Sequence, residues 1–139
     1  MEFDIEMSKV AFDLDGIFIP DCDYIPKIGG LSEFYSLAYY MRPIFKPAGE
    51  WYIITGRDPK YRSQTMAWVD RHFENKPKMV WHEVSDQKPE EYKAEIINQN
   101  EIKVFIESDI NQVQYLLDNT KAQIIHFDMY ARRMLNFTG

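Results

Sequence analysis

Val10-Ala11-Phe12-Asp13-Leu14-Asp15-Gly16 is an apolar run that stops at two carboxylates separated by one residue and followed by glycine. Val10 to Phe12 reads as a buried strand, where an ionised side chain is disfavoured unless a cation, a hydrogen-bond donor or a reaction compensates it. Alternate residues of a strand share a face, so Asp13 and Asp15 are expected to point to the same side at its carboxyl end. Gly16 allows a sharp turn or a close approach to a ligand. For this motif alone, a solvated turn after an edge strand is the competing reading.

Further strand ends of the same kind lie downstream. Trp51-Tyr52-Ile53-Ile54 is a second apolar run, closed by Thr55-Gly56-Arg57-Asp58-Pro59, and Lys103-Val104-Phe105-Ile106 is another, ending at Glu107-Ser108-Asp109. Lys78 to His82 and Gln123 to Phe127 read as two more strands. Between them, helical spacing of apolar residues predicts helices over Leu31–Met41, Lys60–Glu74, a segment opened by Pro89, and Asn111–Asn119, with a tail helix around Met129–Leu135. Residues 17–30, with two prolines, two glycines and two acids, read as a loop at the rim of a site and are too few for a lid domain. Strands alternating with helices imply parallel β-α-β units, and hence a three-layer Rossmann-like α/β domain with a five-stranded, mainly parallel sheet and no large cap. Ligands of such sheets bind at the carboxyl ends of the strands. Polar groups at three strand ends of that edge make a site the better reading of the acid pair.

Composition narrows the function classes. At 139 residues, 45% hydrophobic and 15% aromatic, the chain suits one globular domain spanning 1–139. A formal charge of −6 argues against strong non-specific nucleic-acid binding. Cys22 is the one cysteine, which excludes an intramolecular disulfide and a cysteine zinc site, and a reducing cytoplasm fits. The acidic start, Met1 to Met7, lacks the pattern of a secretory signal, and no apolar stretch reaches membrane-spanning length.

Clustered carboxylates with no cysteine or histidine nearby favour a hard divalent ion, Mg²⁺, with Asp13, Asp15, Glu107 and Asp109 as candidate ligands. A carboxylate nucleophile beside such an ion suits phosphoryl transfer. Asp13 is then the nucleophile and Asp15 the general acid and base. Thr55 and the amides after it, at Gly56, offer donors to phosphate oxygens near a helix start. A lysine has to compensate the acids: Lys93 is the leading candidate and Lys88 the second. Arg57 can either reach a substrate phosphate or, the preferred reading, sit at the surface paired with Asp58 or another acid, and the histidines His72, His82 and His126 read as bystanders.

These motifs resemble, in order and spacing, the haloacid dehalogenase superfamily of phosphatases. The resemblance rests on Val10 to Gly16, on Tyr52-Ile53-Ile54-Thr55 with Gly56 and Arg57, on Lys93 in Tyr92-Lys93-Ala94-Glu95, and on Val104-Phe105-Ile106-Glu107-Ser108-Asp109. It implies a Mg²⁺-dependent phosphomonoester hydrolase working through an aspartyl-phosphate. The stretch from Thr55 through Tyr61-Arg62 and Trp68-Val69 to Lys93 is similar to the phosphatase domain of phage polynucleotide kinase, which implies nucleotides or nucleic-acid 3′-phosphate ends as substrates. The chain departs from the superfamily in carrying Ser108 where a second acid usually contacts the metal. Glu107, Ser108 through water, or Asp109 can take that part, and the departure also motivates the alternative of a catalytically degenerate binding or scaffold protein.

Overall fold

The computed structural model describes residues 7–20, 31–81, 86–129 and 133–137; the expected loop at 21–30 and His82 lie outside them. The strands are β1 (Val10–Phe12), β2 (Tyr52–Thr55), β3 (Lys78–Trp81), β4 (Val104–Glu107), β5 (Gln123–Asp128) and β6 (Arg133–Phe137). The helices are α1 (Leu31–Ala38), α2 (Arg62–His72), α3 (Pro89–Gln99) and α4 (Ile110–Asn119), with a 3-10 turn at Pro59–Tyr61 leading into α2. The strands form one sheet in the order β3-β2-β1-β4-β5-β6. The first five are mutually parallel, as expected of a Rossmann-like α/β sheet, and β6 runs antiparallel on β5.

The sixth strand corrects the expectation of a five-stranded sheet with a tail helix. Only four residues separate Asp128 from Arg133, too few for the crossover that a parallel neighbour requires but enough for an antiparallel return. The exposed edge of β5 then captures the tail in a ladder from Ile124↔Phe137 to Asp128↔Arg133.

Two-residue periodicity divides the core between the two faces of the sheet. Val10, Phe12, Ile53, Val104 and Ile106 point to the layer of α1 and α2, together with Trp68, Val69 and Phe73. Ala11, Ile54, Phe105 and Ile124 point to the layer of α3 and α4, against Tyr92, Ile97, Val113 and Leu116. From β1 the chain steps outward to β2 and β3, then returns to add β4 on the other side of β1. The switch point, where such sheets open a crevice beyond their carboxyl ends, therefore lies between β1 and β4.

Ile17, Phe18 and Ile19 are not the open rim expected of residues 17–30 but are fully buried. A tight turn, with Gly16 N–H donating to the Ile19 carbonyl at 2.7 Å and Phe18 N–H to the Leu14 carbonyl at 3.1 Å, drives them under the sheet edge. Phe18 stacks on Phe45 at 4.7 Å between ring centroids and packs against Phe12, Trp51 and Phe73 at 5.4 to 5.8 Å. The chain leaving the acid pair is thus pinned by apolar burial, which holds Asp13 to Gly16 in place. Phe18→Ala, leaving a large void here, is expected to cost about 3–5 kcal/mol of folding stability in urea denaturation; a loss below about 1 kcal/mol would contradict this packing role.

Candidate functional site

The alternation that sorts the core also assembles the acids. Asp13 follows Ala11 and Glu107 follows Phe105 toward the α3/α4 layer, and the Asp13 N–H continues the ladder to the Ile106 carbonyl at 2.9 Å. Lys93, from the second turn of α3, meets both. Its Nζ lies 2.8 Å from Glu107 Oε1, 3.3 Å from Asp13 Oδ2 and 2.9 Å from Gln112 Oε1. The Lys93 side chain is 2% exposed and Glu107 fully enclosed, while the Asp13 side chain keeps 11%, the edge through which a ligand can approach it. Lys88 remains exposed at the start of α3, where its N–H donates to Glu91 Oε1 at 3.2 Å. Of the two candidate lysines, Lys93 is therefore the one in the cluster.

Asp15 does not share a side with Asp13. β1 ends at Phe12, and the turn built on Gly16, at φ +81°, swings the Asp15 carboxylate toward the α1/α2 layer. Arg57 meets it there in a fork, with Nε donating to Oδ2 at 2.9 Å and Nη2 to Oδ1 at 2.6 Å. The same guanidinium donates to Thr65 Oγ1 at 2.9 Å and lies 4.0 Å from the centroid of the Tyr35 ring. Arg57 is thus buried rather than the surface residue expected from the sequence. Only an acid with a matching two-oxygen face satisfies its fork in such a place.

Thr55 stands at the carboxyl end of β2 as expected, fully buried, and its Oγ1 accepts the Arg57 N–H at 3.1 Å. This short side-chain turn aims Arg57. At Gly56, a Cβ would lie 3.4 Å from Pro89 Cβ and 3.9 Å from Lys93 Cε, so the strand end passes close over α3. Asp109 is engaged as a helix cap: it caps α4, Oδ1 accepting the Asn111 N–H at 2.9 Å, and its Oδ2 accepts from Gln112 Nε2 at 3.3 Å.

Ser108 bridges the two ends of the Asp13–Asp15 segment. Its Oγ lies 2.8 Å from the Asp15 main-chain oxygen and 3.2 Å from Asp13 Oδ2. Its own carbonyl accepts from His126 Nε2 at 3.1 Å. Gly16 is required here for space as well as for its φ, because a Cβ would come within 2.7 Å of Ser108 Cβ. Gln112, Thr65 and His126 are site contacts that the sequence reading missed. The signal available for Gln112 was its place in the first turn of α4, just after the acidic strand end.

Electrostatics divides the two buried acids. Burial opposes ionisation of Asp13, yet the Lys93 charge, hydrogen bonds from the Glu107 carboxyl and Leu14 N–H, and the ammonium itself bring its pKa below 3.8. Glu107 is pushed well above 4.5 by burial and then by the Asp13 charge, with Lys93 pulling the other way. Burial acts to neutralise Lys93, but Asp13 and Glu107 more than reverse this and raise its pKa. One ammonium thus faces two carboxylates and leaves Asp13 as the stronger acid.

The same placement bears on the expected Mg²⁺. Asp15 is held by Arg57, Asp109 by its helix cap, and Glu107 by Lys93 and by the N–H groups of Ser108 and Asp109 at 2.9 and 3.2 Å. Among the described residues, no three acidic, histidine or cysteine side chains come together as a ligand set. As placed, these carboxylates do not converge on one point as the expected four-acid ligand set.

No family model, curated protein or solved structure matches the chain.

Lys93→Met leaves two buried carboxylates without their cation and is expected to cost about 3–5 kcal/mol at pH 7. The stabilisation from Lys93, whose pKa is raised in the fold, is fully present below 10.5 and is lost only at higher pH. In the variant the two acids lose the cation that favours their ionised forms, so its deficit should shrink as the pH falls from 7 toward about 4, where carboxylates protonate. Chemical denaturation across that range checks this, and a deficit independent of pH would contradict it.

Proposed function

We propose that this chain hydrolyses phosphomonoesters, with Asp13 as the nucleophile. The observation that carries the reading is an ionised, partly accessible carboxylate held beside a buried ammonium at the switch point of a parallel sheet. In the first step an Asp13 carboxylate oxygen attacks phosphorus and the ester P–O bond breaks. The leaving oxygen takes a proton, and an aspartyl-phosphate remains. In the second step water attacks that phosphorus, phosphate departs and the carboxylate is restored. Asp15 carries the proton from solvent to the leaving oxygen and away from the attacking water. Arg57 aims it, and Lys93 balances the charge that moves through Asp13.

Aromatic and cationic side chains along the same edge support a nucleotide or nucleic-acid end as the substrate. Trp81 is the register partner of Thr55, and the Arg62 guanidinium lies 5.1 Å from its ring centroid. Lys60 is placed likewise over Tyr61 at 5.1 Å. Such pairs stack bases and attract phosphates in a chain whose net charge is otherwise negative. A second reading, a catalytically silent phosphate-binding or scaffold protein, is favoured by the complete burial of Thr55 and by the pairing of Asp15 with Arg57.

A screen of nucleotides, 3′- and 5′-phosphorylated oligonucleotides, sugar phosphates and phosphopeptides separates the two. Release of phosphate is expected to be fastest from the nucleotide classes, and Asp13→Asn should lower kcat by at least about 10³-fold while circular dichroism shows the fold retained. No turnover by the wild-type protein, or equal turnover by the variant, would favour the silent reading.

A further inference from the structure

Two oxygens at the mouth of the switch point face a common position, the Asp13 carboxylate Oδ2 and the Asp15 main-chain carbonyl. A cation entering between β1 and the turn at Gly16 would have to use both. That position is filled by the Ser108 hydroxyl, 3.2 and 2.8 Å from the two oxygens, and Lys93 Nζ lies 3.3 Å from the same Oδ2. Gly16 backs Ser108 so closely that a Cβ would meet its Cβ at 2.7 Å and its Oγ at 2.9 Å, which leaves Ser108 little room to withdraw on that side. Among the described residues, the carboxylates of Asp15 and Glu107 are already matched to fixed donors, Arg57 and Lys93.

We propose that this centre supplies its positive charge from its own side chains, and that Ser108 is the residue that sets its indifference to divalent ions. The Ser108 hydroxyl and the Lys93 ammonium stand in the place of a bound cation. A Mg²⁺ ion entering there would displace the hydroxyl, lie within a few ångströms of a like charge and gain a single carboxylate ligand. A carboxylate at position 108 would instead direct a second anionic ligand at the same two oxygens and turn the position into a cation site. This inference concerns the metal alone and does not depend on hydrolysis.

Calorimetric titration of MgCl₂ into substrate-free wild-type, Ser108→Asp and Ser108→Ala proteins tests it, with thermal unfolding in chelator and in Mg²⁺ as a second readout. Wild-type protein is expected to show no saturable binding, and a melting temperature unmoved by about 1 mM Mg²⁺. Ser108→Asp should bind at least about tenfold more tightly, the scale on which added ligand charge tunes oxygen sites, and should melt higher with the ion. Ser108→Ala removes the hydroxyl and adds no bulk beside Gly16, so it keeps the test open should the aspartate variant fail to fold; it should bind Mg²⁺ no more weakly than wild type. Saturable micromolar binding by the wild type, weakened in Ser108→Ala, would make Ser108 a metal ligand and overturn the proposal. A folded Ser108→Asp protein with no gain in affinity would overturn it as well.

Discussion

A single buried ammonium, Lys93, facing two carboxylates is the constraint on which the rest of this structure depends. A lysine so enclosed is tolerated only when anions meet it at close range and its hydrogen-bonding capacity is filled. Glu107 and Asp13 supply the anions and Gln112 a third acceptor. Those groups come from the ends of β1 and β4 and from the first turn of α4, so α3 can satisfy its lysine only by docking where these elements converge. Apolar burial on the same layer, from Tyr92, Ile97, Val113 and Phe105, supplies the driving force for that docking. The ion cluster fixes where it occurs.

On the other layer, Arg57 plays a similar part toward Asp15, and the two cations keep the neighbouring carboxylates apart. The turn at Gly16 makes the separation possible by sending the Asp13 and Asp15 side chains to opposite layers while the Asp15 carbonyl stays beside Ser108. Thr55 shapes the approach of Arg57 to this turn, and the buried run Ile17 to Ile19 anchors the turn from below. Acids adjacent in sequence therefore end in different electrostatic surroundings. On the proposed phosphatase reading, one of these carboxylates attacks and the other handles protons.

Much of this was legible from local pattern. Short apolar runs ending in acids or threonine marked β1, β2 and β4, and helices between them implied the parallel order that brings their ends together. Lys93 was legible as a charge on a helix that needed a partner. What escaped was decided by three-dimensional contact. Asp58, next in sequence, looked like a partner for Arg57, but it accepts the Lys60 N–H at 3.0 Å, and Arg57 pairs with an acid 42 residues away. Strand alternation put Asp13 and Asp15 on one side because nothing local reveals that β1 stops at Phe12. The tail read as helix because its pairing edge, β5, is an element that only the assembled sheet presents. No helix among the described residues is long and apolar enough to cross a membrane, in keeping with the hydropathy of the chain.

The central claim is that burial and the neighbouring Asp13 charge raise Glu107 while Lys93 and hydrogen bonds hold Asp13 low, leaving Asp13 the stronger acid and Glu107 the weaker. Carboxyl ¹³C chemical shifts of the intact wild-type protein, followed through a pH titration and assigned by comparison with Asp13→Asn, measure this directly. Asp13 is predicted to titrate below 3.8 and Glu107 well above 4.5. Titration of Glu107 below Asp13, or of both acids at their ordinary values, would contradict the account.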